Sequence, residues 1–333
     1  IGTVEHLAVA PLQPHRRAEL LAVYAKFLHN QFGVQTMAQF RWMRSGLQQN
    51  DERDESGTFA LHTLSDHETI ARLATGVRRF ELPKQHNFIA LNKEIIAITK
   101  TGTGERSRDQ LARIYENRRQ YPKAAEAWRK AIRDCGRGNQ QWREKSLGQI
   151  VDHWGRFEPS QVQPSGRGAV IDFRFRNGTS VDFEAFPIGI EALLRDVKAY
   201  LKTSPQRIDG NKINIQNIGH RIVSQNETKY LDKRVANWTV ALKPRPNHVD
   251  DRITVTTPLQ HPGAYLVRAK MNDGNVSQVI VWVDDTVIVR KPLDKKMLYF
   301  VADAVTGKPV AKSNVEFFGW RFENKQRGRQ PSV

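Results

Sequence analysis

The sequence has few of the residues that usually mark chemistry. It has one cysteine, Cys135, in 333 residues. No intramolecular disulfide can form, and cysteine usage gives no clue to redox compartment. No Cys-x-x-Cys pair or histidine-rich tract supplies metal-ligand spacing. His67-Glu68 is not followed by a second histidine at the metalloprotease spacing, and His153 and His220 have no partners in their neighbourhoods. Ser165-Gly166-Arg167-Gly168 lacks the Lys-Ser/Thr that completes a phosphate loop, and Gly102-Thr103-Gly104-Glu105 reads as a plain loop before a helix. Asp284-Asp285 gives two carboxylates where a calcium site needs six or more oxygens. No stretch reaches the roughly 20 apolar residues of a membrane span. Residues 1–12 have neither the basic start nor the apolar core of a signal peptide. The reading is a chain with no catalytic residues, no cofactor and no metal, and not an enzyme.

Acidic residues are also scarce, at 35 Asp+Glu against 52 Lys+Arg, for a net charge of +17. Such a charge draws anionic partners. It is spread evenly, with +8 from 25 basic and 17 acidic residues in 1–156 and +9 in the remainder. A nucleic-acid reader concentrates its charge on one face, so we expect a generally basic surface and no nucleic-acid partner.

The first half carries helical periodicity. Leu20, Leu21, Tyr24, Phe27 and Leu28 form an amphipathic stripe, with Pro14 at the start and Gly33 as C-terminal cap. Thr36–Leu47 repeats the pattern with Met37, Phe40, Met43 and Leu47. Ser65 and Glu68 have capping-box spacing, which predicts a helix to about Ala74. Phe88–Thr99 and Gln141–Asp152 are further helices. In 105–136, Leu111, Ala112, Tyr115, Tyr121, Ala124, Trp128, Ala131 and Ile132 predict two helices packed as a hairpin. This stretch resembles a tetratricopeptide repeat, a helix–turn–helix unit of about 34 residues. The resemblance implies a peptide-docking face on its first helix, with Arg106, Asp109, Arg113 and Asn117 on that face. Cys135 at the end of the second helix reads as structural.

From Pro159 to Gly168 the chain is rich in Pro, Ser, Gln and Gly and marks a domain boundary. Beyond it the period changes to two: Ile171, Phe173 and Phe175 alternate with polar neighbours, Asn177-Gly178 forms a two-residue hairpin turn, and Ser180–Phe186 returns. A helix at 190–202 puts Leu193, Leu194, Val197 and Leu201 on one face. Short strands follow at Val235–Leu242, Arg252–Thr256, Gly263–Met271, Ser277–Val283, Thr286–Arg290 and Lys296–Asp303, with Val315–Trp320 as a further strand. This spacing predicts an antiparallel sandwich. The fold class is α + β multidomain: a helical repeat-like domain over 1–156, then an immunoglobulin-like sandwich with an inserted helix.

Three segments carry a further resemblance: Gly263-Ala264-Tyr265-Leu266-Val267, Trp282-Val283-Asp284-Asp285, and Leu298-Tyr299-Phe300-Val301 leading through Asp303 to Thr306-Gly307-Lys308-Pro309-Val310. Together they resemble the macroglobulin-type sandwich domains of the bacterial alpha-2-macroglobulin family, over roughly residues 160–320. The resemblance implies one such domain at 157–290 and the truncated start of a second at 291–333, and Leu298–Trp320 is expected to pair poorly or partly. It also implies a fragment of a large exported protein, acting as scaffold or docking part of an endopeptidase inhibitor with proteins, including proteases, as partners. The family thioester is not carried over to Cys135, because Cys135-Gly136 is followed by Arg137-Gly138 in place of Glu-Gln. A cell-surface or periplasmic adaptor without inhibitor role is the alternative.

Overall fold

A computed structural model describes residues 13–34, 57–73, 76–100, 102–203, 209–213, 221–222 and 228–318. The expected helix at 36–47, most of the 213–223 segment and the chain from 319 onward lie outside these residues. The chain divides into two compact units, residues 1–154 with 244–250, and 155–243 with 251–333.

Among the described residues the first unit is built on five helices: α1 (Pro14–Phe32), α2 (Phe88–Ile98), α3 (Thr103–Asn117), α4 (Tyr121–Cys135) and α5 (Trp142–Val151). Pro14 opens α1 as expected. Gly33 is the C-cap, as expected, in extended backbone at φ −66° with its amide donating to the His29 carbonyl. Glycine is required there for closeness, since a Cβ would lie 2.3 Å from the His29 carbonyl. Asn87 caps α2 by accepting from the Ile89 and Ala90 amides at 2.9 and 3.2 Å. Helices α3 and α4 fold back on each other through a three-residue link. Their small Ala112, Ala124 and Ala131 are fully buried, and Trp128 fills the seam against Trp142.

The helix predicted at 65–74 is corrected to a β-hairpin, β1 (Glu68–Leu73) with β2 (Gly76–Glu81), in antiparallel register from Glu68–Glu81 to Leu73–Gly76. Half of the capping box does form: the Ser65 amide donates to the Glu68 carboxylate at 2.8 Å. That bond closes a turn here, because the residues after it favour extended backbone. Thr69 and Ile70 are β-branched; Thr69 is buried and its hydroxyl donates to the Phe32 carbonyl.

The second unit is a sandwich of two antiparallel sheets. One has the order β3-β4-β7 and the other β6-β5-β8-β9, where β3 is Trp154–Phe157, β4 Val170–Arg176, β5 Ser180–Pro187, β6 Ala236–Ala241, β7 Asp251–Thr256, β8 Gly263–Met271 and β9 Val276–Val283. The inner faces carry Phe157, Ile171, Phe173 and Phe175 from one sheet, and Val181, Phe183, Ala185, Val267, Ala269, Met271 and Val281 from the other. On the smaller sheet the outer positions Asp172, Arg174, Arg176, Arg252 and Thr254 are polar, the alternation expected of a sheet with one buried face.

Two expectations need correction here. Strand β3 runs through the end of the stretch assigned to the helical domain, so the sandwich starts earlier than 157. Its signal is only four residues long. Phe157 is buried, and Gly155 leaves room for the Phe173 ring, which a Cβ would approach to 2.3 Å. Asn177-Gly178 does turn the chain, with Asn177 at φ 63°. The two flanking strands, however, do not pair: β4 bonds β7, whereas β5 bonds β6 and β8. The turn passes the chain from one sheet to the other, because each strand buries its apolar face in the shared core.

Helix α6 (Ile190–Lys202) covers one half of the outer face of the larger sheet. Leu193 and Val197 pack with Phe186, Ala264, Leu266, Ile280 and Trp282. A four-residue helix, α7 (Gly210–Ile213), follows it.

The strand expected at Thr286–Arg290 runs as β10 (Thr286–Leu293) and does not join the sandwich. It pairs only with β11 (Lys296–Asp303), from Thr286–Asp303 to Leu293–Lys296, in a separate two-stranded sheet. The sandwich therefore ends at Val283, not at 290. Past β11, Gly307 adopts φ 69° as the turn demands. The Asp303 carboxylate accepts from the Thr306 amide and hydroxyl at 2.6 and 2.7 Å, and Pro309 bridges back to Ala302. Residues 315–318 form no strand, contrary to expectation; Phe317 instead packs edge-on against Tyr299.

Candidate functional site

The four expected docking residues do not form an open face. Asp109 accepts from Arg143 Nε at 2.7 Å and Nη2 at 2.9 Å. Arg143 is buried, donates also to Glu105 at 2.6 Å, and closes the end of α4 through the Cys135 and Gly136 carbonyls at 3.3 and 3.1 Å. Its hydrogen bonds to both carboxylates, Asp109 first, hold its guanidinium charge more firmly than usual. The Arg113 guanidinium lies 5.4 Å from the Trp142 ring centroid, and Asn117 is half-buried. Of the four, Arg106 and Arg113 are exposed, and Arg106 reaches only Thr103 at 3.4 Å. Two members of the presumed face thus tie α3 to α5. Sequence spacing placed them on one side of α3 but gave no sign of the Arg143 that occupies it.

A second polar centre went unread in the sequence. Asp66 accepts from Lys93 at 2.7 Å, Lys123 at 3.0 Å and the Tyr115 hydroxyl at 3.0 Å. Beside it the buried Arg118 donates to the Ser65 and Glu68 carbonyls, both at 2.9 Å, and lies over the Phe88 ring. Burial alone would raise the Asp66 pKa. The bonds and charges of Lys93 and Lys123 outweigh that and hold it at about 2. A depressed folded-state pKa stabilises above the unfolded value and is lost as pH falls through the folded one. Stability is therefore expected to fall between about pH 4 and 2 by roughly 1–2 kcal/mol, discounted for partial exposure, and Asp66→Asn should flatten that stretch of a pH-dependent urea melt.

Cys135 sits at the C-terminal end of α4, and burial is the main cause raising its thiol pKa. It is poorly suited to act as a nucleophile. Asp284 and Asp285 are already engaged: Asp285 accepts from the Ser165 amide and hydroxyl at 2.8 and 2.6 Å, and Asp284, in a local turn, from the Thr286 amide and hydroxyl at 2.9 Å. Among the described residues no cluster of three or more His, Cys, Asp or Glu has metal-site geometry, and no helix is long and apolar enough to cross a membrane.

Two surfaces of the second unit remain. The half of the large sheet left open by α6 forms a groove of about 810 Å³ lined by Asp182, Glu184, Arg234, Thr239, Arg268 and Lys270. Its acids are already engaged, Glu184 by Arg234 and Arg268 and Asp182 by the Thr239 hydroxyl. The other surface is the β10–β11 hairpin. Val287, Val289, Leu298 and Phe300 line one of its faces, and Ile288, Met297 and Tyr299 the other. All seven are between 40% and 55% exposed.

No protein-family model matches the chain, and no curated protein matches it. Among solved structures it is similar to a crystal structure of native alpha-2-macroglobulin from Escherichia coli spanning domains MG0-NIE-MG1. The identity is 16%, 48% of each chain is covered, and the TM-score is 0.31. The chain thus spans about half of that fragment. A shorter fragment of the same protein, spanning domains NIE-MG1, gives 16% identity over 48% of this chain and 74% of that one, at TM-score 0.30. The CARDB domain of the PF1109 protein from Pyrococcus furiosus is similar over 40% of this chain and 90% of that one, at 16% identity and TM-score 0.20. Likeness at this level does not decide the family.

Proposed function

We propose that the chain is a non-catalytic module of an exported protein of the alpha-2-macroglobulin type, serving as scaffold and docking part of an endopeptidase inhibitor. The β10–β11 hairpin carries this reading. A two-stranded hairpin alone is marginally stable in water, and strands apolar on both faces belong in the interior of a larger assembly. Following a closed sandwich, it has the form of the first strands of a second one. The residues that carry the sequence resemblance run through this junction, from Gly263 in β8 to Val310 past β11. The α3–α4 hairpin supports a repeat-like reading of 105–136, as a spacer braced by Arg143.

The test uses the complete product of the parent gene. It should leave a protease active on a short chromogenic peptide but unable to cut casein, and further sandwich domains should follow residue 333. A gene without such domains, or a product that leaves casein cleavage untouched, sinks the inhibitor reading. In the second case, retention of a partner in pull-down assigns the chain to the adaptor class.

A further inference from the structure

The two edges of the large sheet are treated differently. Edge β9 is covered by the segment before β4: Gln163 donates to the Trp282 carbonyl at 3.0 Å, Asp284 donates to the Gln163 carbonyl at 2.8 Å, and the Ser160 hydroxyl donates to the Ile280 carbonyl at 3.4 Å. Edge β6 has no such cover among the described residues. The Leu242 amide donates to the Thr179 carbonyl at 2.8 Å. With the register Ser180–Ala241 through Ala185–Ala236, this fixes the alternation. Ala236, Trp238 and Val240 bond β5, and the backbone groups of Asn237, Thr239 and Ala241 point away from the sheet. All three outward residues are exposed. On the core side, Ala236, Trp238 and Val240 are half-buried at the rim of the sandwich, and the Trp238 Nε1 is buried without a hydrogen-bond partner.

Within 236–241 the strand has no proline and no charge pointing inward, and its one irregularity is a bulge at its start, where the Val235 amide donates to the carbonyl of Ala185, the residue paired with Ala236. Charge stands at its ends, in the exposed Asp232, Lys233 and Arg234 before it, with Arg234 paired to Glu184, and in the exposed Lys243 after it. Both ends are net positive, and Lys233 and Lys243 select the occupant. Two copies pairing β6 with β6 about Trp238 would set Lys233 of each against Lys243 of the other, so like charges meet at both ends of the ladder. An extended segment with acidic ends meets opposite charges instead.

We propose that β6 is a strand-addition site for an extended segment of a partner protein, alternating apolar and polar residues and flanked by acidic ones. Its backbone bonds Asn237, Thr239 and Ala241, its apolar residues extend the core beside Trp238, and its acidic ends face Lys233 and Lys243. This mode takes affinity from main-chain bonds and specificity from alternate side chains. It is independent of the inhibitor reading, because it needs only the edge.

The probe is a fluorescein-labelled peptide of alternating valine and threonine with two glutamates at each end, compared with the same core flanked by lysines. Polarisation titration of the whole chain should show saturable binding of the acidic peptide. The lysine-flanked form should bind about fivefold or more weaker, as two surface charge pairs allow. Hydrogen exchange should slow at Asn237, Thr239 and Ala241. The double variant Asn237→Pro/Ala241→Pro removes two outward amides without breaking a bond to β5, and should abolish binding while the circular dichroism spectrum is kept. Should that variant misfold, Lys233→Glu/Lys243→Glu gives the second arm and should reverse the preference between the peptides. Failure of both peptides to saturate, unchanged preference in the charge-reversed variant, protection elsewhere on the chain, or dimerisation of the free chain through β6 overturns the proposal.

Discussion

Phe183→Ala is expected to lower the stability of the sandwich unit by about 3–5 kcal/mol, the range for removing a buried aromatic ring. The side chain is fully buried. It stands edge-on to Phe173 at 5.5 Å, lies 5.9 Å from Phe157, and stacks on Trp238 at 5.2 Å. It therefore joins both sheets and the rim at one point. Deleting the ring leaves a cavity walled by three other rings. These are held by β3, β4 and β6, so the site collapses only partly. Phe183→Leu fills most of the volume and should cost well under half as much. Urea unfolding followed by tryptophan fluorescence reads the effect through Trp238. Equal losses for the two variants would contradict the ring-cluster account.

Arg143→Ala is expected to destabilise the helical unit by about 3 kcal/mol, at the lower end for breaking a buried ion pair by removing one partner. Asp109, which is 15% exposed, would be left without its bidentate partner, and the carbonyls closing α4 would lose theirs. Glu105 is 40% exposed and returns to water, which limits the loss. The double variant Arg143→Met/Asp109→Leu should cost less than Arg143→Ala alone, since replacing both partners leaves no orphaned charge. Circular dichroism at 222 nm during urea unfolding makes the comparison. If the double variant is the weaker of the two, Asp109 is not the group that Arg143 satisfies.

The same two sites show what was legible beforehand. Phe173 and Phe183 sit in strict alternation, so their burial and strand identity follow from the period of two. The pairing of their strands did not follow, because Asn177-Gly178 specifies a reversal and not the sheet on which the returning strand lands. Burial of both apolar faces decided that. Helices α2 to α5 were readable from apolar spacing and from the small residues at the α3–α4 seam. The 65–74 segment was misread because its local capping signal is real but is used in a turn. At the site, helical spacing puts Arg106, Asp109, Arg113 and Asn117 on one side of α3. Arg143, the partner of Asp109, is 34 residues away along the chain, beyond any periodicity. The β6 edge likewise depends on knowing which strands pair.

The account rests on the sandwich closing at Val283 and on β10–β11 standing outside it. Native-state hydrogen exchange of the chain tests this directly. Amides of β4, β5 and β8 should exchange only through global unfolding, while those of β10 and β11 should exchange through a much cheaper local opening and remain insensitive to Phe183→Ala. Protection of β10 and β11 equal to that of β5, falling in step with it in the Phe183→Ala variant, would show that the hairpin belongs to the sandwich and would remove the basis for the scaffold reading.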